Sequence, residues 1–450
     1  MPKPSTNEEY LASLVPPSMT AGVDRRVFMK GALGSAAALS LPALLAACGG
    51  SSGGAKTGSA KPTGTVTIGS YQSDDIPKKA AAAMFGGFTA KSGVKTKVNT
   101  VSHNDFQENI NTYLQGTPDD VFTWFSGFRM RFFASKGLAG DISDVWTKIG
   151  SNFAAGIKAA STGDDGKQYL VPTFNYPWVV MYRKSVFAEK GYTPPQTLDE
   201  FKTLGEKMKK DGLAPLAFAD KDGWPAMGTF DILNMRINGY DFHISLMAGK
   251  ESWEDAKVKT VLDTWKGLLP FHQTGSLGRT WQEAAQGLAA KKSGMYFLGT
   301  FATQQFQGAD AADVDFFAFP EVDSAHGVDA IDAPIDGYMM SVKPKNEAGA
   351  KALLTYLASA EAEALNLKLD PSSVGTNKSV DTSGYNAVQK KSAEIIGATA
   401  NIAQFMDRDT RPDFASTVMI PALQDFIKNP NDIAGLTKKI EGQKKSIFVG

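Results

Sequence analysis

Cysteine and histidine, the residues that most often carry chemistry, are scarce in this chain. Cys48 is the only cysteine, and His103, His243, His272 and His326 are the only histidines, among 450 residues. No two histidines lie within a helical turn of each other, and neither an H-E-x-x-H pair nor a G-x-x-x-x-G-K-[ST] phosphate loop occurs. After Cys48 the chain can form no internal disulfide and no thiolate metal site. We therefore predict neither a metal site nor a cofactor.

Cys48 ends a segment that has the order of an export signal. Arg25 and Arg26 precede an apolar run, residues 31–47, which is too short and too interrupted to be a strong membrane-spanning helix. The arginine pair resembles the twin-arginine export motif, and the LAAC sequence ending at Cys48 resembles the bacterial lipobox, in which the cysteine is lipidated. We therefore expect residues 1–47 to be an export signal and Cys48 to anchor the mature protein to the cell membrane.

The composition of the chain after this signal limits its fold and its partners. Residues 48–64 are rich in glycine and serine and offer little apolar surface to bury, so we expect a flexible tether there and a folded region that begins near Thr65. The remaining length exceeds what one hydrophobic core usually serves, which predicts two lobes. In the whole chain, Lys and Arg together number 47, as do Asp and Glu. This balance, without a basic block, argues against nucleic acid or an anionic membrane surface as the main partner.

The first folded segment has the alternation of an α/β unit. Its predicted elements are strands at 65–68, 94–98 and 120–124, a helix at 77–91, and a second helix carrying Phe106, Ile110 and Leu114 at helical spacing. Right-handed crossovers between such strands produce a parallel sheet, and ligands gather beyond the carboxyl ends of its strands. Tyr71 and Trp124 both lie at such ends.

A second unit comes after Pro172. Its predicted elements are strands at 179–182, 215–219, 294–298 and 333–340, and helices from 197, at 253–269 and at 281–291. Thr197 and Glu200 have the spacing of a capping box. Trp224 and Phe301 each come just after a strand, where loops could line a ligand site.

Several short motifs, in this order and spacing, resemble the extracellular solute-binding proteins of ABC transporters, in the carbohydrate-binding, maltose-binding-protein-like branch. The motifs are the LAAC at Cys48, GTPDDVF at 116–122 before an aromatic residue, Pro172 followed by VMYR at 180–183, and MYFLG at 295–299. The family usually has asparagine where this chain has Arg183. The resemblance implies an α/β, two-lobed, periplasmic-binding-protein-like fold with hinged lobes and a central ligand cleft.

The resemblance also implies a domain organisation and a function. The expected division is 65–175 with 339–390 for lobe 1, and 176–338 with 391–450 for lobe 2. The chain would cross between the lobes near 175–176, near 337–340 and near 390. The implied function is that of an extracytoplasmic lipoprotein, monomeric and not an enzyme, which captures a mono- or oligosaccharide and delivers it to the permease subunits of an ABC transporter.

The chemistry of sugars selects the candidate site residues. A sugar presents hydroxyl groups around its ring and an apolar face of C–H groups, so its site needs flat aromatic surfaces and planar amide, carboxylate or guanidinium groups. The predicted aromatic contacts are Tyr71, Trp124, Tyr176, Trp224, Phe301 and Tyr338. The predicted polar contacts are Gln72, Asp74, Ser126, Asn175, Asp336 and Arg408. Arg408 lies in a charged segment whose counterpart in maltose-binding members is aromatic, which suggests a different sugar.

Each candidate has a structural alternative. An aromatic residue at a strand end often packs in a core, and Asp336 and Arg408 could form an ion pair between lobes or cap a helix. His103 could reach the mouth of the cleft, but the expected position is a solvated loop. The remaining tryptophans on helical faces are interpreted as packing residues, namely Trp146, Trp253, Trp265 and Trp281.

Two other functions are compatible with the sequence. An exported glycoside hydrolase would also need aromatic side chains facing a sugar, together with two carboxylates held about 5 to 10 Å apart. Asp336 with Asp74 or Asp407 is the only pairing available for that role. A surface adhesin or structural module would show repeats or β-rich modules, and neither is visible in the sequence.

Overall fold

A computed structural model describes residues 62–448 of the chain. The predicted export signal with Arg25 and Arg26, the lipidation site Cys48 and most of the predicted tether lie outside the described residues. Between residues 62 and 448, no helix has the length and apolar character needed to cross a membrane. Nor does this part of the chain contain a group of three or more His, Cys, Asp or Glu side chains arranged to hold a metal ion.

Strands and helices alternate along the chain, as expected for an α/β protein. The strands are β1 (Thr65–Ser70), β2 (Lys95–Thr100), β3 (Val121–Phe125), β4 (Leu170–Asn175), β5 (Trp178–Arg183), β6 (Ala214–Ala217), β7 (Ser293–Gly299), β8 (Val314–Phe317), β9 (Ala330–Asp332), β10 (Ile335–Met340), β11 (Val374–Gly375) and β12 (Asn401–Ala403).

The helices cover the faces of the sheets and fill most of the carboxyl-terminal part. They are α1 (Asp75–Ser92), α2 (His103–Gln115), α3 (Phe128–Ser135), α4 (Ser143–Ile149), α5 (Ala155–Ala160), α6 (Lys184–Lys190), α7 (Leu198–Lys210), α8 (Pro225–Asn238), α9 (Tyr240–Met247), α10 (Ala256–Leu268), α11 (Trp281–Ala289), α12 (Ala309–Asp313), α13 (Glu347–Leu357), α14 (Ala360–Leu369), α15 (Ala387–Ala398), α16 (Met406–Asp409), α17 (Pro412–Phe414), α18 (Ile420–Lys428) and α19 (Ile433–Ile447).

The larger sheet has six strands in the order β11-β4-β10-β3-β1-β2. Strand β1 pairs in parallel with both β2 and β3, which confirms the parallel unit predicted from the sequence. Strand β10 comes from much later in the chain and lies between β3 and β4, antiparallel to both. The carboxyl ends of β1 and β3 and the amino end of β10 therefore meet at one edge of the sheet.

Helix α2 illustrates how the sequence positions a side chain at that edge. The N-cap Ser102 accepts the backbone N–H of Asp105, and this capping bond starts the helix. Phe106, Ile110 and Leu114 are buried on one face of the helix, as their spacing predicts. The first turn, which carries His103, consequently lies beside the end of β1.

The smaller sheet has four strands in the order β6-β7-β5-β8. Helix α8 is buried along almost its whole length and lies within the hydrophobic core that surrounds this sheet. The predicted capping box of α7 is only half formed, because Glu200 accepts the N–H of Gln196 while Thr197 caps the N–H of Glu200. A complete box, between Thr280 and Glu283, starts α11 instead.

The two sheets organise two lobes. One hydrophobic core surrounds the four-stranded sheet, and two others pack around the six-stranded sheet. The chain leaves the larger sheet after β4 and returns to it at β10. All of β10 pairs within that sheet, so we propose that lobe 1 resumes at Ile335, whereas the sequence suggested residue 339.

Candidate functional site

A cavity of about 300 Å³ lies between the two lobes, and we call it the cleft cavity. Side chains from the two lobes meet across it. The amide of Gln282, on α11, lies 3.5 Å from both carboxylate oxygens of Asp74, and Asn104 donates a hydrogen bond to Asp222. The cavity is therefore bounded by both lobes at once.

A chain of four polar side chains lines the cavity, and we call it the polar chain: Tyr71, Asp336, Arg408 and Tyr176. The hydroxyl of Tyr71 donates to Oδ1 of Asp336 at 2.5 Å, and Nη1 of Arg408 donates to Oδ2 at 3.0 Å. Nη2 of Arg408 donates to the hydroxyl of Tyr176 at 3.1 Å. All four side chains are less than a tenth exposed. Each is thus held in a single orientation by its neighbours.

The backbone around Gly127 holds Arg408 in place. Gly127 adopts a positive φ of 102°, and a Cβ atom there would come within 2.7 Å of the carbonyl oxygen of Arg408. Only glycine lets the two segments approach so closely without strain. The guanidinium of Arg408 then lies 4.2 Å from the centre of the Phe125 ring, within range of a cation–π contact.

A second polar group extends from α2. Nη1 of Arg129 donates to Oε1 of Gln107 at 2.7 Å, and the amide nitrogen of Gln107 lies 2.7 Å from Nε2 of His103. Because an amide nitrogen can only donate, Nε2 of His103 accepts and the ring is neutral. Burial and the nearby charge of Arg408 lower the pKa of His103 to about 4, in agreement with a neutral ring.

The expectation that His103 lies on a solvated loop is wrong. Its ring lies edge-on to Tyr71, with ring centres 4.8 Å apart, and it lines the cleft cavity. The reason is that Ser102 caps the helix, which places His103 in the first turn of α2. The sequence signal for this placement was a serine three residues before an acidic residue at the start of a helical pattern.

Four neighbouring rings also line the cavity, and we call them the aromatic wall: Trp178, Trp224, Phe301 and Phe405. The centre of the Trp178 ring lies 6.3 Å from that of Trp224 and 5.0 Å from that of Phe405, and Trp224 lies 6.0 Å from Phe301. The rings stand at several angles and together present a broad apolar surface. Such a surface suits the C–H face of a small polar ligand.

Sequence reasoning missed two of the tryptophans at the cavity. Trp178 was assigned no role, and Trp281 was interpreted as a packing residue, yet both line the cavity. Trp178 reaches it because α8 carries Gly228 opposite the ring, where a Cβ atom would lie 2.5 Å from the indole. Phe405 and Gln107 also line the cavity and carried no signal of their own in the sequence, and Asp407, considered there only as a carboxylate partner of Asp336, lines it too.

The structure brings two thirds of the predicted ligand contacts together. Eight of the twelve line the cleft cavity, namely Tyr71, Gln72, Asp74, Tyr176, Trp224, Phe301, Asp336 and Arg408. For these residues, contact with a ligand remains a prediction.

Burial raises the pKa of Asp74 and also that of Asp407, which lies beside Arg408.

Trp124 and Tyr338 lie behind the cavity and are removed from the proposed set of contacts. Trp124 is completely buried and stacks on Phe125 at 4.3 Å. Tyr338 is also completely buried and donates to Gln72 at 3.1 Å. β10 keeps an unbroken register with β3 from Asp336 to Met340, so Tyr338 lies on the same face of the strand as Asp336 but two residues further from the edge of the sheet that faces the cleft.

Ser126 and Asn175 are likewise removed from that set. The hydroxyl of Ser126 donates to the side-chain oxygen of Gln404, away from the cleft. Asn175 is the residue before Tyr176 on an extended segment, so its side chain points to the opposite face, where it lines a different cavity.

Comparison with known proteins places the chain in a family. Residues 70–364 match the model of the family described as bacterial extracellular solute-binding protein. The chain is 49% identical to the bacterial solute receptor AcbH, which has an exclusive substrate preference for β-D-galactopyranose; the TM-score is 0.85, over 86% of this chain and 100% of that one.

Two curated relatives are more distant. An uncharacterised ABC transporter extracellular-binding protein of Pyrococcus horikoshii is 24% identical over 399 residues, which are 85% of this chain and 86% of the relative. The alpha-glucosides-binding periplasmic protein AglE of Rhizobium meliloti is 24% identical over 389 residues, 79% of this chain and 82% of the relative. The resemblance inferred from the short motifs is thereby confirmed. The chain belongs to the bacterial extracellular solute-binding proteins and has their two-lobed α/β fold with a central ligand cleft.

Proposed function

We propose that this protein is an extracytoplasmic receptor that captures a sugar between its two lobes and delivers it to the permease of an ABC transporter. The observation that carries the proposal is the pairing, in one cavity between the lobes, of the aromatic wall with the polar chain. The rings offer a surface for the C–H face of a pyranose. Asp336, Arg408 and the group around His103 offer acceptors and donors for its hydroxyl groups.

We further propose that the ligand is a single hexopyranose of the galactose type. The cleft cavity, at about 300 Å³, lies at the lower end of the size range of ligand pockets, about 300 to 1,000 Å³. This volume favours one sugar ring over an oligosaccharide. The 49% identity with AcbH, which prefers β-D-galactopyranose, supports the same class of ligand.

The family to which the chain belongs argues against the glycoside hydrolase alternative, which would need two carboxylates acting on one glycosidic bond. Asp336 accepts the hydroxyl of Tyr71 through Oδ1 and pairs with Arg408 through Oδ2, and the remaining lone pairs of its oxygens can accept sugar hydroxyl groups. The family is one of solute receptors, and we propose that this member binds its sugar without transforming it.

Anchoring and export complete the proposal. The arginine pair at Arg25 and Arg26 and the LAAC ending at Cys48 support export by the twin-arginine route followed by lipidation of Cys48. The tether after Cys48 would then hold a monomeric receptor close to the permease at the cell membrane. A flexible glycine- and serine-rich segment suits that role because it lets the receptor turn towards its partner.

Calorimetric titration of the purified protein with galactose, glucose, maltose and raffinose tests the ligand class. We expect galactose to bind at least a hundredfold more tightly than maltose or raffinose. Small-angle scattering of the same samples should show no change in the radius of gyration when maltose or raffinose is added. Tighter binding of raffinose than of any monosaccharide would overturn the single-ring proposal, and no binding of any sugar at millimolar concentration would overturn the receptor proposal.

A further inference from the structure

A second cavity, of about 310 Å³, lies directly behind the cleft cavity, and we call it the rear cavity. The two cavities share a partition made of extended chain. In three successive pairs the first residue lines the rear cavity and the second lines the cleft cavity: Asn175 and Tyr176, Ile335 and Asp336, Gln404 and Phe405. Neighbouring residues of extended chain point to opposite faces. The rear cavity therefore lies where the chain passes between the lobes.

The walls of the rear cavity are mainly aliphatic. Ile157, Ile396 and Ile402 line it and are only half-buried, although they are large and apolar. None of the described residues that line it carries a charge or an aromatic ring. A charged ligand would find no counter-ion there, and a sugar would find no ring to stack on.

One polar group in the rear cavity has no partner. Asn175 is 6 % exposed, and its Oδ1 accepts no hydrogen bond from any described residue. Gln404, which also lines this cavity, does not supply the missing donor, because Oδ1 of Asn175 has no hydrogen-bond partner among the described residues. A buried acceptor without a donor is costly, so a donor brought by a ligand would be favoured there.

We propose that the rear cavity is a second small-molecule site, for a neutral and mainly apolar molecule that carries one N–H or O–H donor. A cavity of about 150 Å³ suffices for benzene, so the rear cavity has room for a fused bicyclic ring. Water alone could satisfy Asn175, but it would leave the isoleucine walls without close contacts. Indole, a bicyclic ring with a single N–H, is the simplest probe of this site.

The test titrates indole, by calorimetry, into protein saturated with galactose, because sugar in the cleft cavity keeps indole off the aromatic wall. Benzofuran has the same shape without the N–H and serves as the matched probe. We expect indole to bind one site and benzofuran to bind about fivefold more weakly, the loss expected for one neutral hydrogen bond. If galactose itself does not bind, Trp224→Ala replaces saturation, and indole should bind this variant as it binds the wild type.

Two variants localise the binding. Ile396→Phe fills the rear cavity and should weaken the binding of both indole and benzofuran at least tenfold. Asn175→Leu removes the acceptor at nearly constant volume and should abolish the preference for indole over benzofuran, while thermal unfolding checks that each variant is folded. The proposal is overturned if indole does not bind at millimolar concentration, if Ile396→Phe binds it unchanged, or if the preference persists in Asn175→Leu.

Discussion

Nη1 of Arg408 lies 3.0 Å from Oδ2 of Asp336, in an ion pair whose two side chains are only 7 % and 5 % exposed. Asp336 belongs to β10, in the larger sheet, and Arg408 belongs to α16, 72 residues further along the chain. The pair therefore joins two distant parts of the sequence in the lining of the cleft cavity. Tyr71 and Tyr176 bond to it from either side.

Asp336→Asn should destabilise the fold and weaken sugar binding. The substitution leaves the guanidinium of Arg408 buried without its strongest partner, and breaking a buried pair in this way costs about 3 to 5 kcal/mol. Chemical denaturation measures the free energy of unfolding. The matched control is Glu361→Gln, since the Lys91–Glu361 pair is more than half exposed and should contribute less than about 1 kcal/mol. Equal losses in the two variants would contradict this prediction.

Trp224→Ala should mainly weaken sugar binding, whereas Trp124→Ala should mainly lower the stability of the fold. Trp224 lines the cleft cavity, so its loss should weaken sugar binding about thirtyfold, or ~2 kcal/mol, with little effect on the fold. Trp124 is completely buried, and its loss should lower the free energy of unfolding by about 3 to 5 kcal/mol. Calorimetric titration and thermal unfolding of both variants separate the two roles. A Trp124→Ala variant that is stable but has lost its sugar affinity would show that Trp124 contacts the sugar.

Sugar affinity should be constant around neutral pH and fall in acid. The pKa of His103 is lowered to about 4 by burial and by the charge of Arg408, so the ring is neutral at and above about pH 5. As the pH falls through about 4, the ring gains a proton beside Arg408 and Arg129, and the closed cavity becomes unfavourable. Titrations across this range in wild type and in His103→Gln isolate the effect, because the variant keeps a hydrogen-bond acceptor but cannot become charged there. If both proteins lose the same sugar affinity in acid, the loss is caused by protonation of Asp74 or Asp407 and not of His103.

Gly228→Ala should weaken binding and lower stability, because its new methyl group would meet the Trp178 ring at about 2.5 Å. Moving that ring disturbs the aromatic wall, and overpacking of this kind typically costs about 1 to 3 kcal/mol. Gly267→Ala, in α10, is the matched control, since nothing lies within 4 Å of its Cβ position. That change should raise the free energy of unfolding by up to about 1 kcal/mol. A stabilising Gly228→Ala would mean that Trp178 has room to move.

Cys48→Ala should release the protein from the membrane fraction, because it removes the proposed site of acylation. Fractionation of cells and blotting of membrane and soluble fractions measure this directly. Arg25→Lys with Arg26→Lys tests the route separately and should sharply reduce export while leaving the cysteine in place. Undiminished export of the double variant would show that the general secretory route carries the protein.

The local parts of the fold could be predicted from the sequence. Strands β1 to β3 and helices α1 and α2 succeed each other closely, so periodicity and turn residues were enough to predict them and their parallel pairing. The place of β10 was not predicted, because its partners β3 and β4 lie far away in the sequence. No local pattern records which distant strand a segment will join.

The same distinction applies to the cleft cavity. Tyr71 and Trp224 could be identified because each lies just past a strand end. Trp124 was expected at such an end, but it lies within β3 and faces the core, and strand alternation alone does not say which face is the core. Trp178 begins a strand and reaches the cavity only because Gly228, on a helix far along the chain, leaves space for its ring.

The central position of β10 has a consequence for synthesis. Strand β10 lies between β3 and β4 and pairs with both. The larger sheet therefore lacks a central strand until the ribosome has produced the segment around Ile335. By then all four strands of the smaller sheet have been synthesised, but the helices α16 to α19 that complete its core have not. A chain released earlier would expose unpaired strand edges, which favour aggregation. Asp336 lies on the same strand and its partner Arg408 follows 72 residues later, so the binding site forms only when translation is almost finished.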